Sequence, residues 1–265
     1  MSATTEVLSH AGRRLRKSVL IWGGVLALLV LTIVSTWPGF RDAETSFTDD
    51  LPESMLTAFG IADLSDPAGF LDSNLFSLVL PLLLICAAIA WTSNLTAGDE
   101  DSGQLEMELT LPVTRTQVYL GRFATVAAAM LGLGLVVLLF LYMCMPALEL
   151  DASYGNVAAA TFSVTLLGVL HAAVLYCAAG LGAARGAALG ATAGVAGFGY
   201  VAQSLFPLSE ALESLQVLSP WQWALGDGPA QHGFSLGGLV TILVVTGALV
   251  AVGTWGVNRR DIRGA

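Results

Sequence analysis

The chain is 265 residues long, with 55% hydrophobic residues, only 12% charged residues and a net charge of −9. An ordinary soluble domain carries about 25% charged residues, so this composition excludes a soluble globular fold. Apolar runs of about 18 or more residues recur along the chain, and each can cross a hydrocarbon core of about 30 Å. The sequence therefore predicts an all-α membrane protein.

The first predicted span, 18–37, directly follows a short basic segment. Its apolar stretch is too long for the h-region of a signal peptide, and no small-x-small cleavage site follows it. We therefore expect a retained helix. Five further spans are predicted at about 75–95, 120–143, 157–182, 187–206 and 235–257.

The distribution of charge predicts the orientation. The six predicted spans place ten of the eleven basic residues on one side of the membrane, namely Arg13, Arg14, Arg16, Lys17, Arg115, Arg122, Arg185, Arg259, Arg260 and Arg263. Arg41 lies on the other side with thirteen of the twenty acidic residues, eight of them between Asp42 and Asp72. Cytoplasmic loops hold an excess of lysine and arginine, so we expect the basic side to face the cytoplasm. The chain should then have six transmembrane helices with both termini in the cytoplasm. We expect it in the plasma (inner) membrane.

Two predicted external loops are longer than the others. The first, 38–74, contains the apolar spacing of a short helix at 52–59 but is too small for a core of its own. The second, 207–233, is apolar, and its Trp221 and Trp223 are typical of an aromatic belt at headgroup depth. With no internal repeat and no low-complexity linker, we interpret residues 1–265 as one domain.

The most informative segment lies between the second and third spans, on the predicted cytoplasmic side. Asp99, Glu100 and Asp101 carry the negative charge that a helix N-terminus favours, and Leu105 with Leu109 forms an i, i+4 apolar pair. We predict a short amphipathic helix over about 99–111.

This helix should end before Pro112, because the residue ahead of a proline is disfavoured in the α region. Thr114 then opens the next helix with Gln117 in a capping box. A helix, a break and a capped helix form an elbow joined to two spans. The pattern alone fits a solvated connecting loop about equally well.

The elbow also carries a family resemblance. Residues 97–115 read AGDEDSGQLEMELTLPVTR, which resembles the AGEEERGTLELLLSLPVSR pattern of ABC-2 type transporter permeases. The six-helix permeases of bacterial and archaeal drug, antibiotic and polyketide exporters are especially similar. LPESMLTAFG and DPAGF within 51–70, SPWQWALGDGP at 219–229 and NRRDI at 258–262 agree in the same order. The departures within the elbow are Gln104, Met107 and Glu108.

The resemblance implies an ABC-2 type permease bundle that forms a homo- or heterodimer with a second permease subunit. It also implies an exporter in which two copies of a separate ATP-binding subunit dock on the coupling helix, about 99–111. The docking residues carried over are Asp99, Glu100, Asp101, Gly103, Leu105, Glu106, Leu109, Pro112 and Arg115. The chain has no phosphate-binding GxxxxGKS or GxxxxGKT loop. We therefore expect no enzyme activity and no cofactor here, with ATP and Mg bound by the partner.

Three polar residues of the predicted spans are candidates for a substrate pathway: His171, Tyr176 and Gln203. Ionisable groups at such depth usually face the bundle interior or a cavity, but hydrogen bonds between helices explain these residues as well. The glycines at 186, 190 and 194 present a side-chain-free helix face, suited to packing within the chain or at a dimer seam. The cysteine spacing suggests no metal site.

Functions of other classes remain open alternatives. A secondary transporter would be expected to carry carboxylates inside its spans, and none is predicted there. A membrane-embedded enzyme would need a cluster of catalytic side chains, but His10, His171 and His232 fall in three different regions. A non-transporting assembly or immunity subunit fits the same sequence. The expected partners are the ATP-binding subunits, a second permease subunit and the lipid bilayer, and we expect no nucleic acid.

Overall fold

The computed structural model describes residues 3–41, 66–101, 114–208, 212 and 214–259. Every regular element within these residues is helical, as the composition predicts. The α-helices, in chain order, are α1 Ala3–Val34, α2 Pro67–Leu71, α3 Val79–Leu95, α4 Ala97–Asp101, α5 Arg115–Ala147, α6 Tyr154–Gly180, α7 Arg185–Leu205, α8 Pro220–Leu225, α9 Pro229–His232 and α10 Leu236–Arg259. A π-helical turn, Asp72–Phe76, follows α2, and two 3-10 turns, Phe206–Leu208 and Ser214–Leu218, follow α7. The short helix predicted at 52–59 lies outside the described residues.

Five stretches of the described chain are long enough and apolar enough to cross a membrane. They are Gly12–Arg41, Pro67–Glu100, Arg115–Ala147, Tyr154–Gly180 and Leu236–Arg259. These coincide with five of the six predicted spans. The predicted span 187–206 does form a helix, α7, but it is not among these five stretches. It is rich in glycine and alanine, which carry little apolar surface. Six spans, and the side on which the termini lie, stay predictions.

The central helix of the bundle is α6. Inside the protein, 83% of its apolar stretch is buried, compared with 17% in α1 and 11% in α10. It contacts α3, α5, α7 and α10, whereas α1 packs against α5 at the periphery. Large apolar side chains such as Leu20, Leu135 and Val244 are therefore exposed on the outer helices. An apolar surface of this kind must be covered by lipid or by another membrane helix.

Contact between α6 and α10 is made backbone to backbone. A β-carbon at Gly180 would collide with the carbonyl group of Gly253, and one at Gly253 would lie 2.9 Å from the Cα of Cys177. A β-carbon at Gly256 would likewise lie 2.7 Å from the carbonyl oxygen of Gly180. Small residues allow this close approach, which replaces the hydrophobic effect as the source of helix association in a bilayer.

The segment after α7 folds back into the bundle. Ser219 caps α8 by accepting hydrogen bonds from the backbone N–H groups of Trp221 (3.1 Å) and Gln222 (3.3 Å), while its hydroxyl donates to Gly199 O at 2.7 Å. Trp221 is only 1% exposed, and Trp223 is half-buried. The predicted aromatic belt is therefore wrong for Trp221, because the loop folds back and packs the ring of Trp221 against His171 and Tyr200.

The glycine face of α7 is uncovered by the described part of the chain. Positions 186, 190, 194 and 197 have open space where a β-carbon would point. The sequence left two interpretations of this face, packing within the chain or a dimer seam. No helix of the described residues packs against these four positions.

Candidate functional site

The candidate site lies at the end of the bundle that carries Arg14, Arg122 and Arg185, called the basic end below. Here α3 ends at Leu95, and α4 begins two residues later with Asp99 and Glu100 in its first turn. This acidic start is the one predicted, although the helix begins at Ala97 instead of Asp99. The following residues, 102–113, lie outside the description. They contain five of the predicted docking residues, namely Gly103, Leu105, Glu106, Leu109 and Pro112.

The far side of the elbow is the start of α5, and its predicted capping box is confirmed. The backbone N–H of Gln117 donates to Thr114 Oγ1 at 3.2 Å, and the Gln117 side chain accepts from the Thr114 N–H at 3.0 Å. These reciprocal bonds satisfy two backbone donors that a helix start leaves without partners. Helix α5 therefore begins at a defined residue, Arg115.

Asp99 is the centre of a buried ion-pair cluster. Its two carboxylate oxygens accept from the Nη1 and Nη2 atoms of Arg14, each at 2.8 Å. Arg122 Nη2 lies 3.0 Å from Asp99 Oδ2, and Arg122 Nη1 donates to Leu95 O at 2.8 Å. Asp99 is 1% exposed and Arg122 is 2% exposed. The bidentate geometry is the strong, directional form of an arginine–carboxylate pair.

This cluster ties three elements to one carboxylate: α1 through Arg14, α4 through Asp99 and α5 through Arg122. Arg122 is one of the basic residues of the predicted cytoplasmic side, and in the structure its guanidinium is buried against Asp99. The Asp99 carboxylate itself is paired with Arg14 and Arg122 inside the bundle. Its part in docking stays a prediction, and in this structure it would act by fixing the position of α4.

Two further contacts join the basic end. Arg185, the first residue of α7, donates from Nε to Ser93 Oγ at 3.1 Å and from Nη2 to Asn94 Oδ1 at 2.8 Å. The Nδ2 of Asn258, in the last turn of α10, donates to Thr116 Oγ1 at 2.9 Å. Side chains of α1, α7 and α10 are thus attached to α4, to the last turn of α3 and to the first turn of α5, respectively.

A family model described as ABC-2 family transporter protein matches residues 7–220. The chain belongs to the ABC-2 transporter family. No curated protein sequence matches it. As a member of this family it is a multi-pass membrane permease, and ABC-2 permeases normally work with ATP-binding subunits. The matched region includes the elbow, the Asp99 cluster and both helices that flank them.

The three candidate pathway residues of this permease do not form one site. His171 is fully buried, with Nδ1 2.8 Å from Leu167 O and its ring edge-on to Trp221 at 5.7 Å between centroids. Tyr176 is also buried, and its hydroxyl lies 2.8 Å from Thr254 Oγ1. Both make contacts within the bundle, so a role in the substrate pathway stays a prediction for each.

Gln203 lies apart from them, at the end of the permease opposite the basic end. It is half-buried, and its Oε1 accepts from Gln216 Nε2 at 3.3 Å. There it lines a cavity of about 340 Å³ whose walls include Asp72, Phe76, Trp221 and Gln231. Sequence reasoning missed this cavity, because the fold-back of α8 that forms one wall leaves no periodic signal.

Proposed function

We propose that this chain is the membrane-spanning subunit of an ATP-driven exporter. Residues 1–265 form one permease domain, the basic end faces the cytoplasm, and the membrane is the plasma membrane. Two permease subunits, identical or similar, form the translocation pathway. Two separate ATP-binding subunits bind ATP and Mg and dock on the elbow, about 99–111.

The Asp99 cluster is the observation that carries the proposal. A docking element transmits force only if its root is fixed to the helices that must move. Asp99 fixes α4 to α1 and α5 by charge-assisted hydrogen bonds of 2.8 to 3.0 Å, and the side chains of Asp99 and Arg122 are buried. A displacement of the elbow by an ATP-binding subunit would therefore move α1, α3 and α5 together.

The uncovered glycine face of α7 supports the proposed pairing of two permease subunits. Positions 186, 190, 194 and 197 place four glycines on one side of a helix with open space beside them. Small residues at such spacing allow two membrane helices to approach closely. A helix of the second subunit would supply the contacts that the described residues of this chain do not.

Affinity purification of the tagged chain from its own host tests the proposal. We expect a Walker-motif ATPase to be recovered in equal copy number and to hydrolyse ATP, whereas the isolated chain does not. Hydrolysis by the isolated chain at a rate typical of transporters would contradict the proposal. Purification of a stable, functional complex without any ATPase would favour a non-transporting role.

A further inference from the structure

A second feature of the basic end is a pocket between α1, the α3–α4 junction and the start of α7. Its volume is about 290 Å³. The pocket is lined by Arg14, Leu15, Ser18, Trp91, Asn94, Leu95, Gly98, Asp99 and Arg185. Neither the family assignment nor the proposed docking of an ATPase gives this pocket a role.

The pocket attracts anions. Two guanidinium groups line it, from Arg14 and Arg185, together with one carboxylate, that of Asp99. Asp99 is neutralised by its own ion pairs with Arg14 and Arg122. An anion entering the pocket therefore meets a net positive charge and not an exposed carboxylate.

Arg185 is held ready to bind an anion. Its bonds to Ser93 and Asn94 use Nε and one Nη2 hydrogen, and they fix the plane of an otherwise exposed side chain. Among the described residues, its Nη1 atom has no hydrogen-bond acceptor. A planar guanidinium with donors directed to one side is suited to bidentate binding of phosphate oxygens.

The position of the pocket relative to the membrane-crossing stretches indicates the kind of anion. Its inner wall is apolar and buried, formed by Leu15, Trp91 and Leu95. Trp91 Nε1 donates to Ser18 Oγ at 2.8 Å, a polar contact at the foot of this wall. The pocket lies at the ends of two membrane-crossing stretches, Gly12–Arg41 and Pro67–Glu100. The pocket therefore lies where the headgroup of a lipid, with its acyl chains in the bilayer, would reach it.

We propose that this pocket binds the phosphate headgroup of an anionic phospholipid from the adjacent leaflet. Basic pockets between membrane helices are known to select such headgroups. The bound phosphate lies between Arg185 of α7 and Arg14 of α1, where two membrane-crossing stretches end, and the acyl chains extend from there into the bilayer. The lipid thereby joins α7 to the root of the elbow.

Native mass spectrometry of the full chain in detergent, titrated with phosphatidylglycerol or phosphatidylcholine, tests this site. We expect phosphatidylglycerol to bind the wild type more tightly than phosphatidylcholine, and R185Q to bind it about tenfold more weakly, the loss of one charge-assisted contact. R16Q is the matched control, because Arg16 is exposed on α1 outside the pocket and salt screens its charge.

Several results would overturn the lipid site. One is unchanged affinity in R185Q, and another is an equal loss in R16Q, which would indicate diffuse surface attraction. Inorganic phosphate that binds as tightly as the lipid would assign the pocket to a soluble anion. Should R185Q fail to fold, R185K keeps the charge but loses the planar fork, and it must still bind phosphatidylglycerol more weakly. The measurement needs no ATPase, so its failure leaves the proposed function standing.

Discussion

Replacing Asp99 by alanine is expected to reduce the free energy of unfolding by about 3–5 kcal/mol, the usual cost of breaking a buried ion pair. The physical reason is the position of Arg122, whose side chain is 2% exposed and loses the carboxylate 3.0 Å from its Nη2. Arg14 also loses both of its 2.8 Å bonds to Asp99. Thermal unfolding of the purified chain in detergent, followed by circular dichroism, measures the effect.

The matched control is Glu149→Ala at the opposite end of the bundle. Glu149 pairs with Arg41 at 2.7 Å, but the two side chains are 80% and 41% exposed. An exposed pair contributes at most about 1 kcal/mol, so this variant should unfold close to the wild type. Equal losses in the two variants would show that burial does not strengthen the Asp99 cluster.

A double variant separates the charge from the packing. Asp99→Ala combined with Arg122→Met removes both buried charges and keeps most of the volume of the arginine stem. We expect it to unfold at a higher temperature than Asp99→Ala alone, because no uncompensated charge remains in the core. A double variant less stable than either single variant would contradict the account of Arg122.

The second large effect is expected at the elbow. Replacing Leu105 and Leu109 by aspartate should abolish recovery of the ATP-binding subunit while the bundle stays folded. The two leucines share one helical face in the prediction, and burying each stabilises a complex by about 1.5–3 kcal/mol. Loss of both lowers the affinity by about a hundredfold or more. Pull-down of the ATPase by the tagged permease measures the change.

Met107→Asp is the control for this pair. Residues two apart in a helix do not share a face, so in the predicted helix position 107 points away from Leu105 and Leu109. The same charge introduced there should leave ATPase recovery near the wild-type level. If both variants recover the ATPase equally well, the elbow is only a solvated connector between two spans.

What could be predicted from the sequence is mainly local. The capping box of Thr114 and Gln117 depends on residues three apart, and it is present with both hydrogen bonds. The long helices follow from apolar runs whose length matches a bilayer. The family assignment rested mainly on one contiguous stretch, 97–115, with three shorter stretches in agreement, and is confirmed by the family model that matches 7–220.

What could not be predicted depends on contacts between distant parts of the chain. Arg14 and Asp99 are 85 residues apart, and their pairing requires knowing which faces of α1 and α4 meet. One signal was available: Arg122 lies inside a predicted span, where a buried charge needs a partner. Trp221 gave no such signal, because the sequence of an apolar loop does not distinguish a position at the membrane interface from one packed against His171.

Docking of the ATP-binding subunit on the elbow is tested by a photo-crosslinker placed at Gln104, with a second one at Gln231 as the control. Gln231 is exposed at the end of the bundle opposite the Asp99 cluster. Illumination of membranes containing the complete transporter should link position 104 to the ATP-binding subunit and should leave position 231 without that product. A crosslink to the ATPase from position 231 and none from position 104 would contradict both the docking site and the orientation of the bundle.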